Sequence, residues 1–291
     1  MDNPKISKYY RDVPADLVKS LLDFRQRYPY QSRTIQGYEW RFIDTGEGKE
    51  VLFVMAGGTS ITEVSYQSLS HFAEKSRVIS PDYPPIRDID TFFAGAIALL
   101  DELGVGQFSL MGGSYGGWMA QSFVRAYPER VRKLVLTAIG PPNAENSRQI
   151  AKMLGWLRLT PTFVLKMLIN YSFSRLDTSL TDEYPEMALL WALVKEVMGT
   201  RVRREDIFAL LYRLIDQTEN YNFLPDDLKD WEGSILIVCG SEDPSTPTDK
   251  REALRTLYPQ AEMKIFEGGG HGIALTHQQA YFAAIDEFLM R

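Results

Sequence analysis

The sequence predicts an α/β protein in which helices cover both faces of a mostly parallel β-sheet. Two regions, residues 31–142 and 231–291, alternate short β-branched runs with helical patterns, an order typical of βαβ units. The runs EVLFVM and KLVLTA are apolar without alternation, as expected of strands buried on both faces. These two observations give eight strand candidates, at residues 34–36, 39–44, 51–55, 78–81, 108–111, 134–138, 235–239 and 263–266.

Helices are predicted between these strands. Residues 90–103 have helical periodicity, with Asp90 as N-cap and Gly104 as C-terminal stop. Residues 276–290 predict a last helix with Tyr281 and Ile285 on its buried face. The crossover helix and its flanking strands make one βαβ unit.

Residues 143–229 interrupt the strand pattern with a helical segment rich in Leu, Met, Tyr and Arg. We interpret this segment as a cap inserted between two core parts, residues 1–142 and 230–291. Its most apolar stretch, residues 153–169, is too interrupted by charges and proline to span a membrane, and it predicts buried helix. The cap carries more large apolar surface than a small helical insertion can bury within itself. Part of that surface is therefore expected to line a substrate pocket, and Trp156, Phe163 and Met167 are predicted to bind substrate. Its basic residues are explained either by an acidic substrate group or by a solvated helix face: Arg158, Lys166, Arg175, Arg201, Arg203 and Arg204.

Composition excludes several classes of protein. The net charge is −6, and no clustered basic run recommends a nucleic-acid partner. The single cysteine, Cys239, is the usage expected of a reducing compartment. The N-terminal residues lack the apolar core of a secretory signal. We therefore expect a cytoplasmic protein that acts on a small molecule and needs no metal or cofactor; the sequence predicts no oligomeric state.

The sequence SLMGGSYGGWMA carries the strongest chemical signal. Residues 112–116 fit G-x-S-x-G between a predicted buried strand and an amphipathic helix, the context that a nucleophilic serine requires. Gly112 and Gly116 leave room for a sharp turn that exposes the Ser114 hydroxyl. The Tyr115 amide, at the helix N-terminus, would then face a developing oxyanion. A simple glycine-rich connection is the alternative.

A serine nucleophile needs a base, and the chain has three histidines. His271 lies in the loop FEGGGHGIA after the last strand candidate, whereas His71 and His277 fall in helical segments and are explained by structure alone. Asp243, in the loop CGSEDPSTP, completes the chain order Ser, Asp, His. The adjacent Glu242 is a competing acid, and an Asp-Pro pair is often only a turn former.

A second oxyanion donor is expected after the third strand, where VLFVMAGGTS supplies glycines. Gly57 and Gly58 allow close backbone approach to a substrate; the Gly58 amide is the predicted donor and Gly57 a predicted substrate contact. A plain turn would explain the pair equally simply.

The motifs GGSYGG, GSEDPSTP and GGGHG together resemble the α/β-hydrolase superfamily over about residues 31–291. The resemblance implies the α/β-hydrolase fold and a cap after the sixth strand, following IGPP. Where relatives commonly have His-Gly, this chain has Ala56-Gly57. The stretches YYRDVP and TPTFVLKMLINYSF are similar to the maspardin family, which includes proteins regarded as non-catalytic scaffolds. Two functions follow: a serine hydrolase of a mainly apolar ester or related acyl bond, and a binding scaffold of the same fold.

Overall fold

An eight-stranded β-sheet forms the centre of the molecule. The computed structural model describes residues 8–46, 48–142, 144–174, 184–221 and 223–291. The strands lie in the order β1-β2-β4-β3-β5-β6-β7-β8. The β1–β2 and β2–β4 pairs are antiparallel and all other pairs are parallel. Their bounds are β1 Gln31–Ile35, β2 Tyr38–Asp44, β3 Val51–Met55, β4 Arg77–Pro81, β5 Phe108–Gly113, β6 Val131–Thr137, β7 Ser234–Gly240 and β8 Glu262–Phe266.

In the parts of the chain that the structure describes, seven α-helices cover the two faces of the sheet. One face packs on α3 (Ile89–Glu102), α4 (Tyr115–Ala126) and α9 (Thr248–Leu257). The other packs on α1 (Ala15–Arg27), α2 (Tyr66–Phe72), the short α10 (Ile273–Thr276) and α11 (Gln278–Met290). Strands β3 to β7 are buried almost throughout because both faces are covered.

The predicted fold class is confirmed, since the sheet is mostly parallel with helices on both faces. Each predicted strand overlaps an observed one. The predicted N-cap of α3, Asp90, was wrong. The N-cap is Asp88, whose carboxylate accepts a hydrogen bond from the Thr91 amide at 2.8 Å. Both aspartates suit a helix start, so composition alone did not choose between them. Gly104 follows α3 with a φ of 72°, which suits the predicted stop.

Among the described residues between β6 and β7, four α-helices are present. They are α5 (Ala144–Leu159), α6 (Thr162–Ser174), α7 (Pro185–Thr200) and α8 (Arg204–Asn220). Helix α5 packs against α8, and α6 against α7. Some residues used in the sequence predictions lie outside the described residues. They are the N-terminal residues 1–7, Asn143 at the predicted start of the cap, and Arg175.

The apolar stretch at residues 153–169 is helical but is not the buried helix that we expected. A turn at Thr160–Pro161 divides it between α5 and α6. Leu154 and Leu165 are buried, whereas Trp156 is 79% exposed. Within the described parts of the chain, no helix is long and apolar enough to cross a membrane.

Candidate active site

Ser114 lies on a strained turn between β5 and α4. Its backbone has φ 51° and ψ −125°, a region that non-glycine residues adopt only when the surroundings enforce it. The Ser114 amide donates to the Thr137 carbonyl at 3.0 Å, and the Gly117 amide donates to the Ser114 carbonyl at 2.9 Å. The tight turn thus lifts one side chain above the carboxyl edge of the sheet.

Glycines make this turn possible. A Cβ on Gly112 would lie 2.3 Å from the Gly116 carbonyl oxygen, and a Cβ on Gly116 would lie 2.3 Å from the Met55 carbonyl oxygen. Both distances are far below contact distance, and the obstructing atoms are backbone. Any larger residue at either position would displace the turn that carries Ser114.

Asp243 and His271 form a hydrogen-bonded pair at the same edge. The Asp243 side chain is fully buried after β7, and its Oδ2 lies 3.0 Å from Nδ1 of His271. The other carboxylate oxygen accepts from both the amide and the hydroxyl of Ser245, at 2.8 and 2.7 Å. Burial raises the pKa of Asp243, but the hydrogen bonds and charge of His271 and the bonds from Ser245 outweigh it, so the pKa lies below its ordinary 3.8. The carboxylate is therefore held in its charged form.

Ser245 was missed by the sequence predictions. Besides donating to Asp243, its hydroxyl oxygen lies 3.1 Å from Nδ1 of His271, so it contacts both members of the pair. The position two residues after an aspartate in a turn is a common place for a serine hydroxyl to bond back to the carboxylate. That spacing, D-P-S, was the available signal. The competing acid Glu242 is exposed and directs its amide to the Gly269 carbonyl.

Ser114 and His271 both lie where two cavities adjoin. Cavity A, about 250 Å³, extends over α7 and α11 residues such as Met187, Trp191 and Tyr281. Cavity B, about 650 Å³, extends under α5, α6 and α8. Both cavities are lined by Ser114 and His271. No direct hydrogen bond joins these two side chains within the part of the chain that the structure describes; catalytic hydrogen bonds are often long before substrate binds.

The residues predicted to supply the oxyanion donors line the cavities that Ser114 also lines. Gly58 lines both cavities, Gly57 lines cavity A and Tyr115 lines cavity B. A Cβ on Gly57 would meet only the Gly113 carbonyl, at 3.9 Å, so the space beside it opens to the cavity. Tyr115 begins α4, where the first N–H groups have no partner within the helix.

A buried arginine fixes the ring of Tyr115. Arg213, on α8, is 1% exposed, and its Nε donates to the Tyr115 hydroxyl at 2.8 Å. The same guanidinium donates to the carbonyls of Pro84 and Ile86 and lies over the Tyr83 ring. Nothing in the sequence around Arg213 signalled this role, because its partners are about 100 residues or more away.

The other two histidines have structural partners. His71 stacks on Phe282 with ring centroids 4.1 Å apart and lies 3.0 Å from the Asp286 carboxylate. His277 precedes α11, and its Nε2 lies 3.2 Å from the Glu267 carbonyl. Neither residue lines cavity A or cavity B.

The structure corrects the predicted substrate contacts in the cap. Trp156, Phe163 and Met167 are 79, 73 and 59% exposed and line neither cavity. Other residues of the same two helices line cavity B in their place: Met153, Leu157, Leu168, Ile169 and Tyr171. Three of them, Met153, Leu168 and Tyr171, are also exposed to solvent. The apolar character of the cap was predicted correctly, but the face of each helix was not.

Three of the basic residues of the cap make structural contacts. Arg201 pairs with Glu63 at 2.5 Å, and Arg203 pairs with Asp206. Arg204 donates to three carbonyls at the end of α5, those of Leu157, Arg158 and Thr160. Arg158, Lys166, Arg201, Arg203 and Arg204 line neither cavity. Their positions outside both cavities do not favour binding of an acidic substrate group, and Arg201 is paired with a buried carboxylate, so a solvated helix face does not describe it either.

A buried charge network joins three parts of the molecule beside cavity A. Arg25 of α1 bonds Glu63, 1% exposed, and Glu196 of α7, 2% exposed. Arg201 also pairs with Glu63, and the Tyr10 hydroxyl donates to Glu196. Glu63 follows the Gly57–Gly58 turn by a few residues. The network therefore ties the N-terminal helix, the segment after β3 and cap helix α7 together.

Comparison with known proteins identifies the family. Residues 70–278 match the family described as alpha/beta hydrolase fold. This match covers most of the chain, and the protein therefore belongs to the α/β-hydrolase fold family, as a hydrolase of that fold.

Two curated relatives are similar to this chain along nearly their whole length. One is a 2-hydroxy-6-oxononadienedioate/2-hydroxy-6-oxononatrienedioate hydrolase from Burkholderia vietnamiensis, 28% identical over 269 residues, which are 86% of this chain and 90% of the relative. Another is a 2-hydroxy-6-oxo-2,4-heptadienoate hydrolase from Pseudomonas putida, 22% identical, covering 87% of this chain and 93% of the relative.

Solved structures share the fold at lower identity. A 2-hydroxy-6-oxo-6-phenylhexa-2,4-dienoate hydrolase from Rhodococcus superposes with a TM-score of 0.68 at 18% identity, covering 91% of this chain and 99% of the other. A thermophilic esterase from Thermogutta terrifontis gives 0.66 at 22% identity, covering 90% and 98%.

Proposed function

We propose that this protein is a serine hydrolase that cleaves a carboxylic ester, or a related acyl bond, of a mainly apolar small molecule. The observation that carries the proposal is the position of Ser114 and His271 at the junction of two cavities, with Asp243 bonded to the far side of the imidazole. A nucleophile, a base and an orienting acid are the parts that acyl transfer requires.

In the proposed reaction, Ser114 Oγ attacks the ester carbonyl while Nε2 of His271 takes the hydroxyl proton. Asp243 holds the Nδ1–H side of the ring and stabilises the imidazolium. The amides of Gly58 and Tyr115 stabilise the oxyanion of the tetrahedral intermediate. His271 then gives the proton to the departing alcohol, and water releases the acid from the acyl-enzyme by the same steps in reverse.

The charges around the cavities favour an uncharged substrate. Cavity A has no lysine, arginine or carboxylate among its described lining residues. Cavity B has one cation, Lys250, and one anion, Asp206. Lys250 already donates to the Ser245 carbonyl at 3.2 Å. Placing an unpaired carboxylate in such a site carries a large desolvation cost.

Carbon–carbon bond hydrolysis is the second candidate, favoured by the names of the relatives. Those substrates are dienoic acids, and the cavities offer few partners for a carboxylate. We therefore expect kcat/KM for a neutral p-nitrophenyl ester to exceed that for a 2-hydroxy-6-oxodienoate. Each methylene added to the acyl chain should raise kcat/KM about three- to fourfold until the cavity is filled. A higher kcat/KM for the dienoate would contradict ester hydrolysis as the main activity and favour carbon–carbon bond hydrolysis.

A labelling experiment tests the alternative of a non-catalytic scaffold of the same fold. We expect a fluorophosphonate probe to label the native protein at Ser114 and to leave Ser114→Ala unlabelled. Absence of labelling in the native, folded protein would favour the scaffold.

A further inference from the structure

Large apolar side chains are exposed on the outer face of the α5–α6 hairpin, residues 144–174. Seven of the ten large hydrophobic residues that are exposed in the described parts of the chain lie on this hairpin: Met153, Trp156, Leu159, Phe163, Met167, Leu168 and Tyr171, at 46–82% exposure. Scattered exposed hydrophobic residues are ordinary, but a concentration of seven of them on two consecutive helices indicates an interaction site.

The set follows the helical period on both helices. Met153, Trp156 and Leu159 recur every three residues on α5. Phe163, Met167 and Tyr171 recur every four residues on α6. Such spacings place residues on one side of a helix. Buried Leu154 and Leu165 occupy the inner sides, so the hairpin has an apolar face toward the protein and a second one toward solvent.

The hairpin is anchored to the rest of the cap, and its outer face adjoins the catalytic cavity. Arg204 of α8 bonds three carbonyls at the end of α5. Met153, Leu168 and Tyr171 are exposed and also line cavity B. The apolar face is therefore continuous with the opening of the cavity that contains Ser114.

The charge of the hairpin is opposite to that of the whole chain. Residues 144–174 contain one acidic residue, Glu145, and four basic ones: Arg148, Lys152, Arg158 and Lys166. The chain as a whole has a net charge of −6. Lys152 and Arg158 are exposed and lie close to Trp156 in the sequence, and Arg158 also donates to the Tyr212 hydroxyl. Exposed aromatic and aliphatic residues with basic neighbours on a helix surface are the composition of segments that lie in the interface of an anionic membrane.

We propose that the outer face of the α5–α6 hairpin docks on an anionic lipid surface and presents the opening of cavity B to it. A second copy of the chain fits less well, because a twofold contact through this face would bring the basic residues of both copies together. An anionic surface complements those charges and accepts the apolar side chains into the headgroup and acyl boundary.

The test is sedimentation of the full-length protein with vesicles of phosphatidylcholine, alone or mixed with an equal amount of phosphatidylserine. We expect binding to the mixed vesicles that weakens with added salt and is much weaker on phosphatidylcholine alone. Trp156→Ser/Leu159→Ser should lower the partition coefficient at least tenfold, and Lys152→Glu roughly tenfold. The matched controls Leu224→Ser/Met290→Ser and Lys229→Glu, which alter exposed residues elsewhere, should bind as the native protein does.

The thermal midpoint of every variant is measured, because an unchanged midpoint shows that the substitution acts on the surface. Absence of binding to mixed vesicles, or equal binding by the hairpin and control variants, would overturn the proposal. So would a dimer in light scattering that Trp156→Ser/Leu159→Ser dissociates, since a second copy would then cover this face. Vesicle binding is measured without any substrate turnover. Absence of binding therefore does not bear on the proposed ester hydrolysis, which the activity and labelling assays test separately.

Discussion

Ser245→Ala removes a hydroxyl that contacts the Asp243–His271 pair and leaves both members of the pair unchanged. The hydroxyl donates to Asp243 at 2.7 Å and lies 3.1 Å from Nδ1 of His271. A hydrogen bond to a charged group contributes about 1.5–3 kcal/mol. Asp243 keeps the Ser245 amide at 2.8 Å and the imidazole at 3.0 Å, so the loss should lie at the lower end. We expect kcat/KM to fall about tenfold with KM nearly unchanged.

The same substitution should change the response to acid. The folded-state pKa of Asp243 is lowered below 3.8, so its charge stabilises the fold above that value, and the contribution is lost as the pH falls through the folded-state pKa. Without the hydroxyl, the pKa of Asp243 rises toward 3.8 and the contribution shrinks. The midpoint of acid unfolding, followed by circular dichroism, should therefore move to higher pH.

Two variants control this prediction. Ser245→Thr keeps the hydroxyl and should restore both activity and the acid midpoint. Ser241→Ala removes a hydroxyl of the same loop that accepts from the Gly268 amide and does not contact the pair. Equal effects of Ser241→Ala and Ser245→Ala, or a native kcat/KM in Ser245→Ala, would refute the positioning role.

Three further variants test other parts of the structure. Ser114→Ala should lower ester turnover on the order of 10⁴-fold or more with little change in the thermal midpoint, and near-native turnover would exclude the proposed mechanism. Asp243→Asn should reduce kcat far more than Glu242→Gln, because an amide favours the wrong imidazole tautomer; similar losses would mean that another group orients His271. Arg25→Met should lower the free energy of unfolding by about 3 kcal/mol or more, since among the described contacts it leaves the buried Glu196 without a cation and leaves Glu63 with Arg201 alone. On the same helix, Lys19→Met breaks an exposed pair and should cost under about 0.5 kcal/mol in urea titrations; equal costs would show that the network adds little.

The strands could be predicted because each carries its signal locally. Runs such as EVLFVM are apolar at every position since both faces of the central strands are covered. The elbow at Ser114 was also local in part, because a Cβ at Gly112 would meet the Gly116 carbonyl four residues further along the chain. The chain order of serine, aspartate and histidine then limited the choice of partners, and the structure brings Asp243 and His271 together as that order suggested.

Residues that act through distant partners left no such signal. Arg25 meets Glu63 and Glu196 across 38 and 171 positions of the chain, and Arg213 meets Tyr115 across 98. A single basic residue in a helix reads as solvated surface whether its partner is water or a buried carboxylate. Sequence alone therefore could not separate the arginines that tie the cap to the core from those that only carry charge.

The wrong face assigned to the cap helices has a physical cause that also bears on function. Periodicity identifies the buried side of a helix only when the other side is polar. Helix α6 is apolar on both sides, with Leu165 buried and Phe163 exposed, so any choice of face satisfied the pattern equally. A helix that faces water on its outer side has no folding requirement for Phe163 or Met167 there, and such side chains leave apolar surface exposed. Their presence is explained if the outer side meets something apolar during function, and the basic residues beside them favour an anionic lipid surface over a second copy of the chain.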